Sequence, residues 1–412
     1  MGRPAERWLA PLSTAERNQA ELRAGLTRAS VHRAAPGDWL AQGQWSRTAD
    51  GKALYRAALR SPEALGLRLH FRNFNAGEGR VWMYPADGAT EGYFAGPYTA
   101  RGVFGDGEFW SEFVEGESVV LEYETSRGGK LPFEVDVVSH VFHEVLPGTG
   151  KASARREALS CNKDVTCHPE WAERARSVGR YLFETNGGGA LCSGSVVNTR
   201  NSSGIPYFLT ADHCVNNAAE ARSVQVFWGY TAVSCGGAPK NLRQLPTTLG
   251  ATYLTGGGLE QGDFTLLRLN GTLPDTVTFS GWTPDEHPVG GDVTGIHHPG
   301  GDFQRISFGA RGDAIPVRGR PEGVYYTINW REGVTEGGSS GSPLFNADGL
   351  IVGMLSGGPK PPAGKTECDL NPAFDWYGRF STAYPSLQAF LEERTTGGAL
   401  RRLRRHRVAA QR

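Results

Sequence analysis

The 412-residue sequence has no surplus of charge, since 43 Lys plus Arg balance 43 Asp plus Glu. That balance excludes a function resting on a bulk field, such as coating a polyanion or presenting a broad basic face to nucleic acid. No apolar stretch approaches the ~18 residues that a membrane-spanning helix needs. Cysteine is absent from the first 160 residues, and all six, Cys161, Cys167, Cys192, Cys214, Cys235 and Cys368, lie beyond them. No Cys-x-x-Cys pair occurs, so the set reads as a disulfide framework and not as a zinc site or a redox motif, with the pairing left open. Lysine is scarce, at 7 Lys against 36 Arg. What is plentiful is glycine, 56 residues, with 24 Pro and 42 aromatics. Such a composition points to many short strands joined by tight turns.

The uneven cysteines divide the chain. Its length exceeds the ~250–300 residues at which a single core stops growing, so two or three domains are expected. Residues 1–63 read as an N-terminal segment, partly helical or disordered, with a short helix within 12–32. From Leu65 the texture turns to alternation: Leu65, Leu67, Leu69 and Phe71, then Arg80 to Tyr84, Glu108 to Trp110, Ser118 to Tyr123 and Phe133 to Val138. Glycine turns separate these runs, and a small β-sandwich is expected over 64–150. Residues 151–156, with Lys151, Arg155 and Arg156, form a polar linker suited to proteolytic processing. The strand-rich remainder, 157–393, ends in a helix expected from Ser386 to Glu393, and 394–412 is an arginine-rich tail expected to be disordered. The cysteines point to secretion, although Met1 to Leu40 shows no apolar core of a signal peptide.

Three segments of the second half fit together chemically. Tyr207-Phe208-Leu209-Thr210-Ala211-Asp212-His213-Cys214 is an apolar strand running into a histidine. Gly262-Asp263-Phe264-Thr265-Leu266-Leu267 sets an aspartate at the mouth of a strand, and Gly337-Gly338-Ser339-Ser340-Gly341-Ser342-Pro343 holds a serine in a glycine-lined loop. A serine hydroxyl is a poor nucleophile until an imidazole takes its proton, and the imidazole needs a carboxylate to fix its tautomer and stabilise its cation. His213 is thus the expected general base, Asp263 its orienter and Ser340 the nucleophile. The Gly338 and Ser340 amides are the expected oxyanion donors. Two other clusters carry no chemistry in this reading: His140-x-x-His143-Glu144 lacks the second histidine of a zinc motif, and His297-His298-Pro299 has no acids or cysteines around it.

Thr-Ala-x-His-Cys, Asp-Phe-Thr-Leu-Leu and Gly-Val-Thr-Glu-x-Gly-Ser-Ser-Gly-Ser-Pro together resemble the secreted bacterial lysyl endopeptidases, serine proteases of the chymotrypsin fold. The likeness covers about 157–393. It implies an all-β chymotrypsin-like double β-barrel protease domain, two six-stranded antiparallel barrels with the active site between them, preceded here by a small β-sandwich pro-domain. It also implies the disulfides Cys161–Cys368, Cys167–Cys235 and Cys192–Cys214. Asp375-Trp376-Tyr377-Gly378-Arg379 is similar to the family's Asp-x-Tyr-Gly-Arg, whose aspartate lies at the base of the specificity pocket; a carboxylate there selects a cationic side chain before the scissile bond. Leu355-Ser356-Gly357-Gly358 is the expected substrate-binding wall, with Ser356 and Gly357 named for contact. Family members can carry a histidine where Ser356 stands, stacked on a tryptophan that would fall near Val317 and Arg318, and neither aromatic is present, so Lys and Arg both stay open as substrates. The acid that precedes the catalytic serine in trypsin-like zymogens is Ser339 here, so the first 150 residues read as an intramolecular inhibitor or folding aid. The expectation is a secreted serine endopeptidase, made as a precursor, monomeric, cutting proteins or peptides after basic residues, with no metal, organic cofactor, membrane or nucleic-acid partner. Two rivals are an inactive protease-fold adhesion or carbohydrate-binding protein and a same-fold protease of non-basic specificity.

Overall fold

The computed structural model describes residues 4–19, 25–86, 94–142, 158–316 and 319–392. The linker at 151–156, His143, Glu144, Val317, Arg318 and the tail at 394–412 lie outside these described residues.

The alternating segments of the first half pair into two sheets. One runs in the order Glu6–Trp8, Ala53–Arg60, Ser118–Thr125, Gly77–Pro85, Ala95–Ala100, with Gln44–Arg47 also on Ala53–Arg60. The other runs Val114–Glu115, Gly66–Arg72, Glu134–Val141, Ser30–Ala34, with Phe109–Trp110 on Gly66–Arg72. Period-two side chains such as Leu67, Leu69 and Phe71 from one sheet and Val81, Met83 and Leu121 from the other meet in a common buried core. The sandwich therefore begins at Glu6 and not at 64. The sequence hides this because Ala53-Leu-Tyr-Arg-Ala-Ala-Leu-Arg60 is rich in helix formers, yet it lies mid-sheet, and burial on both faces overrides its propensity. Among the described residues of the region expected to hold a helix, Thr14–Gln19 is helical, and residues 27–28 and 30–34 are strands.

The second half is built from two further antiparallel sheets. In the first, the order is Thr247–Leu249, Gln225–Trp228, Val178–Thr185, Gly188–Val197, Tyr207–Thr210, Phe264–Leu269, Ala251–Gly257. Its two edge strands do not pair with each other, so it is a strongly curved half-barrel; the chain passes from one edge to the other at Gly250, whose φ of 80° suits glycine. The second sheet closes on itself. Arg305–Arg311, Asp292–His297, Pro343–Asn346, Ile351–Gly357, Phe374–Arg379 and Tyr325–Glu332 form a six-stranded barrel through pairing of its last strand with its first. The C-terminal helix is Phe380–Leu391, six residues earlier at its start than expected, because Pro385 reads as a helix start but lies inside; Phe380, Ala383, Leu387 and Leu391 form its buried stripe. The three disulfides join Cys161 to Cys368, Cys167 to Cys235 and Cys192 to Cys214, the pairing that the resemblance implies.

The sandwich docks on the half-barrel. Ala29, Phe113 and Val141 from the first half and Leu182, Leu191, Phe227 and Tyr230 from the second share one apolar cluster. Beside it the fully buried Arg68 guanidinium donates to Glu184 Oε1 at 3.1 Å and to the Ser223 carbonyl at 2.7 Å. Ser139 and His32 hold the other Glu184 oxygen at 3.0 and 2.9 Å. Two charges removed from water are tolerable only when their hydrogen bonds are met, as they are here.

Candidate active site

Antiparallel register brings the first two functional side chains together. Thr210 faces Thr265 and Tyr207 faces Arg268, so the end of one strand lies beside the start of the next, with His213 just past the former and Asp263 just before the latter. Asp263 Oδ2 is 2.7 Å from His213 Nδ1, and Oδ1 accepts the His213 backbone N–H at 2.9 Å. The Ser356 hydroxyl donates to the same Oδ2 at 2.6 Å. Asp263 is fully buried. Burial pushes its carboxyl up, but the charge and hydrogen bond of His213, with the Ser356 hydroxyl and the His213 amide, outweigh this and hold it below its ordinary value. The Cys192–Cys214 bridge fixes the residue after His213 to the neighbouring strand.

Ser340 lies in the loop that joins Tyr325–Glu332 to Pro343–Asn346 of the closed barrel. Its carbonyl accepts the Ser193 amide at 2.9 Å, and Ser193 Oγ donates to the Gly338 carbonyl at 2.9 Å, so the loop is clamped to the half-barrel. Neither the Gly338 nor the Ser340 amide donates to another group among the described residues, which leaves both free for an oxyanion. Gly338 has φ 96°, and a Cβ there would come within 2.8 Å of the Gly301 nitrogen, so no other residue fits without displacement. His297 accounts for part of the His-His-Pro segment: its ring joins Ser339 Oγ at 2.8 Å to Ser307 Oγ at 3.1 Å and is held neutral by burial, which pushes it down to about 3. It is a brace behind the serine loop. His140 is likewise buried and bonded to Ser61 Oγ at 2.7 Å.

A cavity of about 270 Å³ opens beside Ser340 and is walled by Ser356, Gly357 and Gly358, with Asp375 among its lining residues. Asp375 Oδ2 accepts from Trp330 Nε1 at 2.5 Å and from Thr335 Oγ1 at 2.8 Å. Oδ1 accepts nothing among the described residues and faces Gly358, where an added Cβ would stand 2.1 Å away. Burial pushes the Asp375 carboxyl up to about 6 against the lowering bonds from Trp330 and Thr335. Asp369, the other acid nearby, is exposed and caps Thr366 instead.

Five contributions escape the sequence reading. Ser356 meets the pocket as wall, but its hydroxyl is spent on Asp263. Trp330 and Thr335 orient Asp375 from 45 and 40 residues away. Arg320 also joins this wall, donating to Ser356 Oγ at 3.1 Å from Nη2. The fifth is a segment of the first half. Thr27 and Arg28 add an antiparallel strand to Gly188–Val197 opposite Leu191 and Ala190, continued by the Ala29 amide bonded to the Gly189 carbonyl at 2.8 Å. This strand carries Gly25 into the cavity, where its Cβ position is 3.6 Å from His213 Cδ2, and sets Thr27 against Gly337. Only the short pairing with residues 190–191, across the domain boundary, could have announced it.

A family model described as the C-terminal domain of lysyl endopeptidase matches residues 156–378. A lysyl endopeptidase of Pseudomonas aeruginosa is 27% identical over 369 residues, which cover 84% of this chain and 77% of that protein. Among solved structures, the thermostable serine protease AL20 from an extremophilic microorganism is 20% identical with TM-score 0.40 over 55% of this chain and 100% of its own. The active form of the M. tuberculosis Rv3671c protease is 18% identical with TM-score 0.38 over 61% of this chain and 97% of its own. The chain belongs to the lysyl endopeptidase family.

Proposed function

We propose that the protein is a secreted serine endopeptidase that cuts on the carboxyl side of lysine, and far less readily of arginine, and that it is made as a precursor. Ser340 attacks the carbonyl, His213 takes its proton and returns it to the leaving amine, Asp263 steadies the imidazolium, and the Gly338 and Ser340 amides receive the oxyanion. The observation that carries the specificity is the single open oxygen of Asp375. With Oδ2 already held by Trp330 and Thr335, Oδ1 can serve one donor. A lysine ammonium is a point charge that one oxygen can receive, whereas a guanidinium is best met by two. The three disulfides support an oxidising destination. The strand that brings Gly25 to His213 supports the sandwich as an intramolecular inhibitor.

The test compares hydrolysis of peptide amides ending in Lys, Arg, Glu and Phe. Lysine is expected to exceed arginine by about tenfold or more, roughly 1.4 kcal/mol, and both to exceed the others by orders of magnitude. Equal rates across the four would sink the assignment to Asp375. Failure of the processed, mature protein to react with a serine-directed fluorophosphonate would support a dead scaffold instead.

A further inference from the structure

Among the described residues that line the cavity, Arg320 is a cation held in place by stacking and hydrogen bonds without being neutralised, whereas Lys360 on the same lining has no such anchoring contact. Its guanidinium lies over the Trp376 and Tyr325 rings at 5.1 and 5.6 Å and donates to Ser356 Oγ from Nη2 and Nε at 3.1 and 3.4 Å. Stacking and two hydrogen bonds fix its position at little further entropic cost. No carboxylate among the described residues forms an ion pair with it; Glu322, two residues on, is exposed and unpaired to it. The Asp263 charge that it faces through Ser356 is already satisfied by His213. Nη2 also reaches within 3.7 Å of where a Gly357 side chain would begin, so the guanidinium floors the wall along which substrate residues upstream of the cut would run. The strand of Thr27 and Arg28 pairs instead with Gly188–Val197 of the half-barrel.

We propose that Arg320 forms an anion-recognition subsite that prefers an aspartate or glutamate side chain within the three residues preceding the cleaved lysine. The inference rests on the reading of this cleft as a peptide-cleaving site. The substrate carboxylate supplies the charge partner that the wall lacks, while the ammonium of the lysine goes to Asp375. One cavity thus reads two opposite charges in sequence, and a lysine preceded only by neutral or basic residues is the poorer substrate.

The enzyme obtained from the full chain is given a peptide library with random residues at every position, and the cut sites are read by mass spectrometry at low and high salt. Acidic residues are expected to be enriched by about three- to tenfold at one of the three upstream positions. Arg320→Gln should abolish that enrichment, Arg320→Lys should keep most of it, and Arg320→Glu should turn it into a preference for basic residues. Because each readout is a ratio between substrates, any loss of overall rate passing through Ser356 cancels. Should Arg320→Gln be inactive, the wild type decides: enrichment should fade toward about 1 M salt, where charges a few ångströms apart are screened. No enrichment, enrichment untouched by Arg320→Gln, or enrichment that survives high salt overturns the proposal. Cuts that mostly follow residues other than lysine and arginine would overturn the basic-specificity reading alone, since acid enrichment upstream is scored independently of the residue at the cut.

Discussion

Asp375 has to be charged to receive an ammonium, and burial raises its pKa to about 6. For a carboxyl raised above its unfolded value of 3.8, the folded chain prefers the proton, so ionisation of the empty pocket costs stability as pH rises from 3.8 through 6. The bound ammonium relieves that cost. The expected result is that KM for lysyl substrates climbs as pH falls below about 6, while Asp375→Asn loses this limb together with ~10²-fold or more in kcat/KM. Fluorophosphonate labelling of Asp375→Asn should remain; if it vanishes, the residue is structural. Ser340→Ala should lose both labelling and about 10⁴–10⁶ of kcat. Ser356→Ala, which deprives Asp263 of one donor, should lose only about 5–30-fold, most of it in kcat. These residues differ in how well the sequence announces them. His213, Asp263 and Ser340 each stand at a strand end inside a short motif, so local pattern suffices. Ser356 meets Asp263 across 93 residues and Trp330 meets Asp375 across 45, and nothing in either segment's own pattern requires the contact.

The strands show the same division. Alternation in Gly66–Arg72, Gly77–Pro85 and Ser118–Thr125 is plain, because each presents one face to the core. Ala53–Arg60 is not, since six of its eight residues are buried and alternation disappears. Least visible is the pairing of Thr27 and Arg28 with residues 190–191, two residues long and made by backbone groups that every sequence possesses. Its role can be isolated at Ala29, whose N–H donates to the Gly189 carbonyl. Proline there removes the donor and disturbs the adjoining strand. In the full chain, Ala29→Pro should raise the rate of Ser340 labelling by roughly tenfold, the equivalent of about one backbone hydrogen bond. An unchanged labelling rate would mean that the strand does not govern access.

Sandwich and barrels are held together by the apolar cluster around Phe113 and Leu191 and by Arg68 with Glu184. Burial raises the Glu184 carboxyl, but His32, Arg68 and Ser139 outweigh it and hold the group below its usual 4.5. A depressed carboxyl contributes stability above 4.5 that drains away as pH falls toward the lowered value, so the hold of the sandwich should weaken in acid below about 4.5. Glu184→Ala leaves Arg68 buried and uncompensated and should cost about 3–5 kcal/mol, read as a lower denaturant midpoint and faster labelling of Ser340. Gly25, finally, reaches His213 with φ 93°, a hand that L-residues rarely take, and without a side chain to offer Asp375. On the proposed reading of the chain as a precursor, the segment at Gly25 closes the cleft of its own molecule, so the maturation cut is expected to come from another copy already opened. Activation then spreads from molecule to molecule: activity after dilution into assay buffer should rise sigmoidally, with a lag that shortens as precursor concentration increases and that a trace of mature enzyme abolishes.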